Sequence, residues 1–108
     1  MATAKELMDT AKTKIEQNKA QASQIGAVYK FVLDGDGGGT YIMNLKDAPG
    51  VTEGDGTAQC TIKMAAKDYV DMVEGRANGQ QLFFTGKLKI EGDMGLAMKL
   101  QKLTDMIK

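Results

Sequence analysis

The run DGDGGG at residues 34–39 holds the first side chains whose spacing could do chemistry, because Asp34 and Asp36 stand at the first and third positions of a calcium loop. Such a loop ends on a bidentate Glu at its twelfth position, where this chain has Leu45, so the glycines read as a hairpin turn. A phosphate loop fails as well, since no GK[ST] follows and the next element reads as a strand. Cys60 is the single thiol. It alternates with Ala58, Ile62 and Met64 on the inward side of TAQCTIKM, and no base or cation that would activate it is identifiable, so it reads as a small core residue. There is no histidine at all, which removes Ser-His-Asp and Cys-His nucleophile activation and the commonest general base near neutral pH. A zinc site would be left with carboxylates and one thiol. The expectation is a protein that is not an enzyme and carries no metal or cofactor.

The 108 residues suffice for one domain, 1–108, which buries roughly 65% of its unfolded surface. Lys plus Arg equals Asp plus Glu at 14 each, so no basic excess exists to drive binding to a phosphate backbone, and no nucleic-acid partner is expected. No apolar run approaches a membrane span, and the opening MATAKELMDTAKTK is amphipathic and charged, unlike a signal peptide. A cytoplasmic protein is expected, in keeping with a lone cysteine.

The elements that must position these residues follow from the hydrophobic period. Thr3 and Glu6 fit a capping box, and Leu7, Met8, Ala11 and Ile15 recur at helical spacing, predicting one helix from residue 3 to about 23 with Gly26 as its stop. The period then becomes two. Tyr29, Phe31 and Leu33 share one side of a strand with Val28 and Val32 on the other, as in a central strand, and a second strand carries Tyr41, Met43 and Leu45. Residues 47–56, DAPGVTEGDG, read as a polar loop, followed by the strand around Cys60. Residues 65–75 form a helix with Tyr69, Met72 and Val73 on one stripe, and Asn78 opens a short helix with Leu82, Phe83 and Phe84 that ends at Gly86. KLKIE is a strand with Leu88 and Ile90 inward, and Asp93 caps a last helix able to reach the end of the chain. The order is helix-β-β-β-helix-helix-β-helix.

The last helix has too many apolar residues for one buried face. At about 100° per residue, Leu96, Leu100, Leu103 and Ile107 fall within an arc of about 60°, an ordinary seam onto a sheet, with Met94 and Met98 roughly opposite. The methionines either fill gaps in the core and stand singly exposed, or form a second apolar face around a cavity or groove. In the second case Phe83, Phe84, Met72 and Met64 could contribute to the same surface, with Gln101 as its polar contact or simply a solvated glutamine. Eight methionines against three Phe, three Tyr and no Trp suit an adaptable apolar wall.

Three stretches carry a family resemblance. QQLFFTGKLKIEGDMGLAMKLQKL closely resembles the C-terminal signature of the sterol carrier protein type 2 family, GAVYKFVLDGDGGGTYIMNLK its first hairpin, and GTAQCTIKMAAKDYVDMVEGRAN its third strand and following helix. The similarity runs from about Gly26 to Leu103. It implies an α/β (α+β) fold, with a mixed, mostly antiparallel four- to five-stranded sheet covered by helices and enclosing a hydrophobic tunnel. It also implies non-catalytic binding and transfer of sterols, fatty acids, acyl-CoA or phospholipids. Carried over by position, the tunnel wall would hold Phe83, Phe84, Met94, Leu96, Ala97 and Met98, together with Leu100, Gln101 and Leu103, and Val70 and Val73 of the preceding helix. The partners implied are a lipid ligand and a transient membrane contact, with the chain a monomer or weak homodimer. The last residues, Asp105 to Lys108, differ from a peroxisomal signal such as SKL, which fits the cytoplasmic expectation. A protein-interaction or dimerisation module using the same apolar surface is the alternative.

Overall fold

The computed structural model describes residues 2–108. Its first helix, α1 (Ala4–Gln17), starts where the sequence places it, with Thr3 Oγ1 accepting from Glu6 N at 3.1 Å and Glu6 Oε1 accepting from Thr3 N at 3.0 Å. Ala4, Met8, Ala11 and Ile15 form its buried stripe. The single helix expected to residue 23 is broken at Asn18, whose Nδ2 donates to Lys14 O at 2.8 Å and whose backbone leaves the helical region at φ −128 and ψ 47. An Asn amide competes with the backbone for its own hydrogen bonds. A second helix, α2 (Lys19–Ile25), resumes and stops at Gly26.

Five strands follow: β1 (Val28–Asp34), β2 (Gly39–Asn44), β3 (Gly50–Glu53), β4 (Cys60–Ala65) and β5 (Leu88–Gly92), in the sheet order β3-β2-β1-β4-β5. β1 is central, as its two apolar sides predict. Only its pairing with β4 is parallel, with Tyr29 opposite Cys60, Phe31 opposite Ile62 and Leu33 opposite Met64. The sheet is therefore mixed and mostly antiparallel. β3 lies inside the segment expected as a loop. It is a four-residue edge strand with two exposed residues, and such short polar edges blunt further pairing while carrying no alternating apolar signal.

Helices α3 (Ala66–Val73), α4 (Gly79–Phe84), α5 (Met94–Ala97) and α6 (Leu100–Ile107) complete the chain. α1, α3 and α6 pack together over one face of the sheet, burying Tyr29, Phe31, Met43, Cys60 and Ile62 beneath them. Tyr69 of α3 joins these layers: its ring meets Phe31 edge-on at 5.7 Å between centroids, and its hydroxyl donates to Met8 Sδ at 3.4 Å. The opposite face is half-buried and mixed, with Val28, Val32 and Ile42 beside Lys30 and Lys63, which pair with Asp55 at 3.0 Å and Glu91 at 2.8 Å. Among the described residues no helix is long and apolar enough to cross a membrane. None of their acidic, thiol or imidazole side chains gather in threes that could hold a metal ion.

The expected continuous last helix is also divided. Leu96 O, which an unbroken helix would offer to Leu100 N, accepts instead from Lys99 N at 3.0 Å and from the Tyr29 hydroxyl at 2.6 Å. A buried tyrosine on the central strand thus sets where α5 ends and α6 begins.

Candidate functional site

The division of the last helix opens a groove at the β5 edge of the sheet. Leu88 and Ile90 point from β5 to the helix-covered side, as Ile90 is paired with Ile62 and Leu88 with Met64. They meet Leu100 of α6 at the bottom of a space of about 500 Å³. Asn78 Oδ1 caps α4 by accepting from Gln80 N at 2.8 Å and Gln81 N at 3.3 Å, which turns Phe83 and Phe84 along one wall. α4 lies close on α6 because residue 79 is glycine: a Cβ there would stand 3.3 Å from both Leu100 Cδ2 and Met72 Sδ. Asp93 Oδ1 caps α5 by accepting from Gly95 N at 2.8 Å and Leu96 N at 3.2 Å, and this short helix supplies Met94, Ala97 and Met98 to the other wall. Gln101, Thr104, Asn78 and Gln80 form the polar remainder of the lining.

The groove is apolar and open. Among the described residues, Phe83, Phe84, Met94 and Met98 are the exposed large hydrophobic ones, at 39%, 73%, 52% and 87%. Four large apolar side chains left in water on one concavity mark a place for an apolar partner. The enclosed tunnel that the resemblance implies is here an open groove, with Phe83, Phe84, Met94 and Met98 exposed on its walls.

A family model described as the SCP-2 sterol transfer family matches residues 5–105. The chain belongs to that family. It is 44% identical over 93 residues to sterol carrier protein 2 of Homo sapiens, which covers 82% of this chain but only 17% of the human protein. The chain therefore spans about a sixth of the length of the curated relatives it matches. The solution structure of the sterol carrier protein domain 2 of Helicoverpa armigera is 34% identical, with a TM-score of 0.76 over 93% of this chain and 84% of that one. The apo form of Sterol Carrier Protein 2 from Yarrowia lipolytica shares the fold with a TM-score of 0.83 over 94% of this chain and 89% of that one, at 22% identity.

Within this SCP-2 family fold, seven residues singled out from the sequence come together on the groove: Phe83, Phe84, Met94, Ala97, Met98, Leu100 and Gln101. Five do not. Met64, Val70, Met72, Val73 and Leu103 are buried in the main core, where their stripes pack sheet against helix. Leu96 is half-buried against that core and is held through its carbonyl. Leu88, Ile90, Asn78, Gly79, Gln80 and Thr104 line the groove without having been anticipated. KLKIE did mark Leu88 and Ile90 as inward, but only the edge position of β5 makes part of that inward side a groove floor. Cys60 is fully buried, and burial pushes its thiol above the ordinary range, with Asp93 adding to the shift. Burial likewise raises the Tyr29 phenol, so its hydroxyl stays a neutral donor to Leu96 O.

Proposed function

We propose that this chain is a non-catalytic lipid-binding module that takes one hydrocarbon tail, of a sterol, fatty acid, acyl-CoA or phospholipid, into the groove between β5, α4, α5 and α6 and releases it unchanged. The observation that carries this reading is the cluster of Phe83, Phe84, Met94 and Met98, exposed together on one apolar concavity of about 500 Å³. Pockets for small molecules commonly span about 300 to 1,000 Å³ and are lined mainly by such side chains. Membership of the SCP-2 family and the names of the relatives point the same way. No histidine is present, and the one thiol is buried with a raised pKa, which leaves ligand exchange rather than chemistry as the activity these residues support.

Affinity would come from removing methylenes from water at about 0.8 kcal/mol each, so ten contribute about 8 kcal/mol before immobilisation costs, and micromolar binding is within reach. Specificity for chain length is then loose, because one methylene changes affinity by only about 1 to 3 kcal/mol in a fitted pocket. Titration with a fluorescent fatty acid, displaced by unlabelled competitors, is expected to show saturable binding of one ligand per chain. Native mass spectrometry of the same sample should show the adduct on a monomer. An empty dimer without displaceable probe would favour the interaction-module alternative.

A further inference from the structure

A polar annex borders the groove. Asn78, Gln101 and Thr104 line the groove and also a second cavity of about 300 Å³, which is bounded further by Arg76, Gln81 and Lys108. Among the described residues, the charged side chains lining this annex are both cations, Arg76 and Lys108, and no carboxylate side chain lines it. Two acids outside the lining hold the arginine. Asp71 Oδ1 accepts from Arg76 Nε at 3.1 Å and from Nη2 at 3.0 Å, and Glu74 Oε1 accepts from Nη2 at 2.6 Å. These bonds grip one edge of the guanidinium and leave both N–H bonds of Nη1 uncommitted. A guanidinium fixed in this way loses little freedom on meeting a further partner. Lys108 Nζ stands 3.6 Å from Asp105 Oδ1, longer than a strong charge-assisted hydrogen bond, so it too keeps donors to give. The neutral groups add more donors: Asn78 Oδ1 is committed to the α4 cap, which leaves its amide N–H bonds, and Gln81 brings an exposed amide. The nearby acids weaken the field at longer range, so an anion here gains chiefly through short hydrogen bonds.

We propose that this annex holds the anionic head, a carboxylate or a phosphate, of a lipid whose tail lies in the groove, with Arg76 Nη1 and Lys108 Nζ as its charged donors and Asn78 and Gln81 as its neutral ones. The inference rests on the groove's taking the tail. Its experiment is displacement of a fluorescent hydrocarbon probe from the full chain by palmitate, by 1-palmitoyl lysophosphatidate and by 1-monopalmitoylglycerol, each below the concentration at which it aggregates. The three share a tail, and the last two differ only in the phosphate. The anions are expected to displace at concentrations about fivefold lower than the neutral lipid, the scale of a half-exposed ion pair, and this advantage should shrink as sodium chloride rises from about 50 mM to about 500 mM. Arg76→Gln together with Lys108→Gln, both at exposed positions, should bring the anions to parity while monopalmitoylglycerol is little changed. Should that variant fail to fold by circular dichroism, Lys108→Gln alone should reduce the advantage by about half. An advantage confined to palmitate or to lysophosphatidate supports the annex and fixes its head as a carboxylate or a phosphate. Equal displacement by all three lipids in the unaltered chain, tighter binding of the neutral one, or an anion advantage indifferent to both salt and the cation substitutions overturns the annex and leaves the groove standing. A probe that never binds overturns both readings together.

Discussion

Met98→Asp is expected to weaken binding of a lipid hydrocarbon by about tenfold or more, with the melting temperature essentially unchanged. Met98 is 87% exposed, so its side chain contributes little to the core and its replacement removes little folding stability. Met98 lines the groove proposed to take the ligand's tail, so in that complex the position would lie against hydrocarbon. A carboxylate there must lose water to hydrocarbon with no partner, and a neutral polar group alone costs about 1 to 3 kcal/mol in that situation, a charge more. Adding Met94→Asp, on the same wall and 52% exposed, should deepen the loss. Competitive displacement gives the affinity and a thermal melt gives the stability. An affinity that survives both charges would place the ligand somewhere other than this groove, and a collapse of the melt would show that Met98 belongs to the core.

The second large effect is on folding. Gly92→Ala should lower the melting temperature by about 10 °C or more, corresponding to about 2 to 4 kcal/mol for a domain of this size. Gly92 has φ +99, and a Cβ built there would sit 2.5 Å from Gln59 O. Backbone is in the way, so no side-chain rotation relieves the clash. The strand end would have to separate from β4, where Gly92 is paired with Cys60 and where Asp93 N donates to Gln59 O at 3.0 Å. Because Asp93 is also the cap of α5, the wall carrying Met94 and Met98 should loosen with it, and ligand affinity should fall alongside stability. Urea titration with and without lipid reads both. A melt equal to that of the unaltered chain would mean that the tight approach of β5 to Gln59 is not required.

Much of this architecture is written in local periodicity. The alternation of Tyr29, Phe31 and Leu33, of Tyr41 and Met43, and of Cys60, Ile62 and Met64 places three strands and their buried side correctly. The caps at Thr3, Asn78 and Asp93 place three helix starts. What periodicity could not carry were features set by distant partners. β3 exists because β2 offers it an edge, and the residues it contributes are too polar to alternate. The break before α6 depends on a hydroxyl 67 residues away in sequence, which draws Leu96 O out of the helix pattern. The groove shows the same limit. Met94 and Met98 were legible as a surplus, since no single seam could bury them, whereas Met64, Val70 and Val73 carry the same apolar character and are ordinary core. Hydrophobicity alone does not separate a wall from a filling. The distinction is made by the edge position of β5, which is a tertiary fact.

The most direct measurement uses the methionines themselves. With methyl-labelled methionine, addition of a saturated lipid chain should shift the resonances of Met94 and Met98 on the groove. Met8 and Met43, at 1% and 0% exposure under the other helices, should hold their positions. Perturbation centred on Met8 and Met43, with Met94 and Met98 unmoved at saturating lipid, would contradict the assignment of this groove as the lipid site.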